Sequence, residues 1–215
     1  MIKERRYSRT FANIPDEKQH FIIEKAIKEF AQKGYITANI NRIAKEANIS
    51  IGSMYSYFPS KEALFLSIID EGVGVLQEAL KGVTDTKGGF FDKYHQMLKA
   101  AITYAKEYEY LHQIYLEIST EGLSHLATEL TQSMESVTTE VYEIILAEAE
   151  ASDEIRKGLD KQVVAFCLDN IAMMLQFSFA SKYYYERMKL FISGERDEDE
   201  LIDSIISILK NGMAP

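Results

Sequence analysis

Three pairs of residues have the spacing to hold a metal ion on one helix face: Glu17 with His20, Asp92 with His95, and Glu109 with His112. Residues three apart on a helix share a face. Di-iron bundles use two Glu-x-x-His pairs plus a Glu from each of two other helices. A chain with 33 Asp and Glu makes such pairs readily by chance. Glu17 and His20 also fall on a helix expected to pack into a separate N-terminal core, away from Glu109. There is no Gly-rich phosphate loop, no Ser-His-Asp spacing and no cysteine cluster, since Cys167 stands alone. No catalytic residue, metal ligand or cofactor is assigned, and the chain is read as a non-enzyme.

A second constellation points to nucleic acid. Asn41 and Arg42, then Ser53 and Tyr57, place polar groups where they could bond phosphates or base edges. Arg42 is the one of these able to make a bidentate contact with guanine. The elements that must present them are two short helices. Ile40, Ile43, Ala44 and Ala47 recur at helical spacing, with Asn39 as N-cap. Asn48 suits the left-handed conformation of a sharp turn, and Ile49 would plug the corner. Ser50 caps a second helix, Ile51 to Tyr57, and Pro59 discourages helix at Phe58. Two short helices joined this way form a helix-turn-helix, whose second helix enters the DNA major groove. That helix carries no carboxylate. Gly52 costs about 1 kcal/mol relative to Ala in a helix and fits a close backbone approach. The plain alternative is a short core helix with one wet face.

Gly34-Tyr35, Ile43-Ala44, Ala47, Ile49-Ser50, Gly52, Tyr55, Tyr57-Phe58, Ser60-Lys61-Glu62 and Leu64 form one spaced pattern across several helices and turns. The pattern resembles the DNA-binding head of the TetR (tetracycline-repressor-like) family of transcriptional regulators. Asn48 stands where the family often has Gly, and Ile51 where it often has Lys or Arg. The resemblance implies that Tyr55 and Lys61 touch the DNA backbone. The expected DNA-binding set is Asn39, Asn41, Arg42, Ser50, Gly52, Ser53, Tyr55, Tyr57 and Lys61. The resemblance also implies a body that binds a small-molecule effector between its helices.

Charge is distributed to match. The chain has a net charge of −9, yet residues 1–61 carry 11 Lys and Arg against 6 Asp and Glu, and residues 62–215 carry 13 against 27. A basic head on an acidic body suits phosphate binding by one end. Lys3, Arg5, Arg6 and Arg9 against Glu4 make the segment to Asn13 a basic arm, able to track phosphates or enter a minor groove. Domains are expected at 1–61 (arm and helix-turn-helix) and 62–215 (ligand binding and dimerisation).

Apolar residues, 47% of the chain, recur at helical period throughout, so the fold is expected to be all-α, with about nine helices. Pro15 and Gly34 bound the first helix, with Ile23, Ala26, Ile27, Phe30 and Ala31 inward. Ser60 starts a long helix to about Gly82. Later helices run from Phe90 to Tyr108, Tyr110 to Ile118 and Leu123 to Ala149, with a break at Ser119 to Gly122. Ser152 or Asp153 caps the next, from Leu159 to Ile192, and Asp197 with Glu200 resembles a capping box. Lone Cys167 fits a reducing cytoplasm. Neither a signal peptide nor a run of about 20 apolar residues that would span a membrane is expected.

Aromatic and Met stripes in the body could line a mostly apolar pocket. The candidates are Tyr94, Met97, Tyr104, Tyr108, Tyr115, Met173, Met174 and Phe177, against plain core packing. The last two long helices are apolar on more than one side and are expected to form a homodimer. The reading is a repressor released from a palindromic operator in double-stranded DNA by a small, largely apolar effector. A ferritin-like metalloenzyme and a helical interaction module without DNA binding are the alternatives.

Overall fold

The computed structural model describes residues 6–118, 121–192, 194 and 196–215. Lys3, Glu4 and Arg5 of the expected arm, and Ser119 and Thr120 of the expected break, lie outside the described residues. All regular elements among the described residues are helical. In chain order they are α1 (Arg9–Ala12), α2 (Asp16–Thr37), α3 (Ile40–Glu46), α4 (Ile51–Tyr57), α5 (Lys61–Thr84), α6 (Phe90–Glu107), α7 (Glu109–Ile118), a 3-10 turn (Glu121–Leu126), α8 (Ala127–Ala151), α9 (Lys161–Ala180), α10 (Lys182–Phe191) and α11 (Glu198–Met213).

Two of these exceed expectation. Ser8 caps a short α1, its hydroxyl accepting from the Phe11 N–H. The segment expected as one helix from Leu159 to Ile192 breaks at Ser181, whose backbone is extended. Caps differ too. Asp160, rather than Ser152 or Asp153, caps α9 by accepting from the Gln162 and Val163 N–H groups. Asp197 makes no side-chain cap bond. The acidic first turn of α11 turns to α6 instead: Asp199 meets Lys99 at 2.9 Å, and Glu198 pairs with Lys106. Helix α9 is long and apolar enough to cross a membrane by length and composition alone, yet it holds no unbroken apolar run. Asp169, Asn170, Gln176 and Ser178 interrupt it.

Two compact units form. One ends at Gly74 and includes Tyr110–Ser133; the other comprises Val75–Glu109 and Met134–Pro215. The cut falls beyond residue 61 because the first turns of α5 bury Leu64, Phe65 and Ile68 fully. In the first unit Ile22, Ala26, Phe30, Ile43, Ala44, Met54 and Phe58 are also buried. Phe11 packs its ring 4.6 Å from Phe58. Helix α2 buries Ile22 and Glu29 and leaves Ile23 and Ile27 half-buried, so its inner face is turned from the one expected. Gly34 ends its regular geometry at φ +73°. There the Tyr35 N–H donates to Glu117 Oε1 of α7 at 2.6 Å. Arg6 pairs with Asp70 of α5 and with Glu129 of α8. In the second unit α6 packs against α9 and α11, and α9 against α10.

Candidate functional site

Helices α3 and α4 are held by their own caps. The Asn39 side chain accepts from the Asn41 N–H at 2.9 Å. Ser50 Oγ accepts from the Ser53 N–H at 2.9 Å and bonds Ser53 Oγ at 2.8 Å. Each cap satisfies a donor that a helix start leaves open. Between the helices Asn48 takes φ +53°, the left-handed turn its residue type allows. Ile49 is half-buried in the corner.

The outer face of this pair exposes Asn41, Arg42 and Lys45 from α3, and Ile51, Gly52, Tyr55 and Ser56 from α4. A Cβ on Gly52 would meet nothing nearer than Ser50 Oγ at 3.7 Å. The chain itself therefore does not require glycine there. Tyr57 departs from expectation. It is 7% exposed with its ring 5.5 Å from Phe11, so it packs into the head rather than projecting outward. Helical position decides this, since Met54, Tyr57 and Phe58 share the inner face of α4.

Arg42 and Lys61 are both engaged within the chain. Arg42 Nε lies 3.0 Å from Glu46 Oε1 and 3.3 Å from Glu29 Oε2. The bond to Glu46, then the charges of Glu29 and Glu46, push the guanidinium further above its ordinary value. Glu29 is 3% exposed and also accepts from the Asn39 N–H at 3.2 Å. This buried carboxylate fixes both the start of α3 and the arginine. Its place between Ala26 and Phe30 on the inner face of α2 was the available signal. Lys61 Nζ donates to the carbonyls of Ile36 and Ala38 at 2.9 and 3.0 Å and sits over the Tyr35 ring. It neutralises the C-terminal end of α2.

The body residues scatter. Tyr94 is buried and its hydroxyl donates to the Leu168 carbonyl at 2.7 Å. Met97 and Phe177 are buried, and Phe177 packs 5.5 Å from Tyr184. Met174 is half-buried, its carbonyl accepting from Ser178. Tyr115 is half-buried in the first unit. Tyr104 and Tyr108, 4.9 Å apart, line a cavity of about 480 Å³ between α5 and α6. Met173 lines another of about 780 Å³ between α8 and α9, with Tyr142 and Asp169, which sequence reasoning passed over.

His20, Asp92 and His95 of the metal-spaced pairs are drawn elsewhere. His20 Nδ1 bonds the Asp16 carbonyl at 2.8 Å, His95 faces Asp203 at 3.3 Å, and Asp92 accepts from the Gly89 N–H. Among the described residues no three His, Cys, Asp or Glu gather as a metal site.

A profile of the family described as "Bacterial regulatory proteins, tetR family" matches residues 22–68. The uncharacterised HTH-type transcriptional regulator YuxN of Bacillus subtilis is 57% identical over 54 residues, 25% of this chain. That match spans 19% of the length of YuxN. The fatty acid metabolism regulator protein of Bacillus subtilis is 30% identical over 145 residues, 65% of this chain and 71% of that protein.

The chain belongs to the TetR family.

The fold likeness extends over most of the chain. The structure of FadR from Bacillus subtilis, solved in complex with stearoyl-CoA, superposes with a TM-score of 0.70 at 22% identity, covering 90% of this chain and 98% of that one. The matched TetR segment begins at Ile22 on the inner face of α2 and ends at Ile68 on α5. It thus contains both capped helices and the Arg42–Glu29 pair. Membership places the chain among regulators rather than among helical metalloenzymes.

Proposed function

We propose that this TetR protein is a DNA-binding transcriptional repressor, released from a palindromic operator when a small molecule binds its body. The observation that carries the reading is the outward face of α3 and α4: two helices, each held by its own cap, with no carboxylate on α4 and a glycine the chain itself does not need. Asn41, Ser53 and Tyr55 are the direct DNA contacts, and Arg42 reaches a base from its seat on Glu29 and Glu46. Asn39 and Ser50 act by holding the helix starts toward phosphate. Lys61 supplies charge to the phosphate side, and Tyr57 acts by packing.

Residues 1–61 are the DNA-binding domain and residues 62–215 bind ligand and dimerise, in the cytoplasm. One head reads one half-site, so two-fold pairing is required for a palindrome. Exposed Val163, Tyr183, Leu190, Phe191 and Ile208 on α9, α10 and α11 support the homodimer surface. The mechanism is a population shift: effector favours a pose of α5 that spaces the heads wrongly for DNA. The test is capture of genomic DNA fragments by the purified chain, with and without cell extract. A recurring palindrome, lost on adding extract, is expected. Capture without sequence preference sinks the reading.

A further inference from the structure

We propose that Ile51, on the outer face of α4, reads the C5-methyl group of a thymine in each half-site of the operator. The inference deepens the DNA-binding reading above and rests on it.

The first support is what α4 has to read with. The second helix of such a pair meets base edges with its N-terminal residues, and Ile51 is the first residue of α4. Bidentate recognition of guanine or adenine needs Arg, Lys, Asn or Gln, and cytosine is met by Asp or Glu. Helix α4 has none of these. A serine hydroxyl both donates and accepts, so it separates the bases poorly, and Ser53 Oγ is already bonded to Ser50 Oγ at 2.8 Å. Met54 and Tyr57 are buried. What α4 turns outward is apolar: Ile51 is 47% exposed and Tyr55 51%. Residues four apart share a helix face, so the two make one strip. The apolar mark that distinguishes a base pair in the major groove is the thymine methyl. The second support is access. Gly52, next to Ile51, carries no side chain, and a Cβ there would meet nothing of the chain nearer than Ser50 Oγ at 3.7 Å. The third is charge. Residues 1–61 carry 11 Lys and Arg against 6 Asp and Glu, so a polyanion is drawn toward this apolar strip. Hydrogen-bonded reading is left to α3, where Asn41 and Arg42 are exposed.

The test uses the full chain. A duplex library with a randomised core is selected by the purified protein. Each thymine of the selected duplex is then replaced in turn by deoxyuridine, which lacks only the methyl group, and affinity is read by fluorescence anisotropy. One thymine position in each half-site is expected to lose about fourfold on replacement, the worth of one buried methyl group. Ile51→Ala should abolish that thymine-over-uracil difference, as a cycle between side chain and methyl requires. Ile51→Val, which keeps the branched methyls, should retain it. Helical content by circular dichroism and the guanine preference assigned to Arg42 should stay unchanged in both variants. A selected duplex in which no thymine methyl matters overturns the proposal. So does a thymine-over-uracil difference that persists in Ile51→Ala, which would hand the contact to another side chain. The two readings fail separately. A selected palindrome without an Ile51-dependent methyl effect removes this contact alone; a library from which no sequence emerges removes the regulator reading, and this contact with it.

Discussion

Arg42 stands between a buried carboxylate and the exposed face of α3, so its substitution reports on two functions. Arg42→Ala leaves Glu29, 3% exposed, without its cation. Removing one partner of such a pair exposes the cost of the other. The expected outcome is a lower thermal midpoint, partly restored by adding Glu29→Gln, as a double-mutant cycle would measure. An unchanged midpoint would mean that the pair is dispensable for the head. Asp169 behaves in the opposite sense. Its carboxyl is raised by burial and by Glu135, with Tyr94 and Tyr142 also near it. The folded chain therefore holds this proton more tightly than the unfolded chain. Stability from this group is fullest below about pH 4 and is lost as pH rises toward 6. For a half-buried group the loss is on the order of 1–2 kcal/mol after solvent screening. Asp169→Asn should raise stability by that amount in denaturant titrations at pH 7, with little change at pH 4.

At the scale of elements, the end of α2 is held from two sides. Gly34 adopts φ +73° and ψ 163°, a region costing a side-chain-bearing residue roughly 1–3 kcal/mol. A Cβ there would also stand 2.5 Å from Glu117 Oε1. Gly34→Ala should therefore destabilise by at least about 1 kcal/mol and disturb the Tyr35–Glu117 bond; urea unfolding would measure it. Lys61 holds the same helix end through two carbonyls. Lys61→Met should cost about 0.3–1 kcal/mol, as loss of a cation at a helix C-terminus does. Bonding to neutral carbonyls leaves its charge intact, so the slope of log affinity for DNA against log salt should also fall by about 0.9. Lost stability with an unchanged slope would confine Lys61 to the fold.

For the whole molecule, the proposed homodimer raises the question of which apolar surface it uses. Ile206 is 9% exposed and Ile208 is 72% exposed. A charge at 206 would break the chain's own core, whereas a charge at 208 probes only what lies outside it. Ile208→Glu should sediment as a folded monomer with its helical content kept and its operator affinity lost, because one head cannot span two half-sites. A dimer with intact DNA binding would put the two-fold surface elsewhere. Charge separation acts at the same scale. The acidic residues concentrate after residue 61, which favours approach of DNA to the basic end.

Local chemistry was legible in the chain itself. Asn39, Asn48 and Ser50 do at the helix-turn-helix what their residue types dictate, because caps and tight turns are set by side chains reaching backbone two or three residues away. The all-α class followed from periodicity for the same reason. What lies across helices was decided by the tertiary structure. Glu29 is buried under Arg42, Tyr57 turns inward against Phe11, Lys61 binds the end of α2, and Tyr142 and Asp169 meet at a cavity between α8 and α9. Each depends on the rotation of one helix against another. A hydrophobic stripe fixes that rotation loosely, because a helix turns through 100° per residue and neighbouring faces look alike until packing selects one.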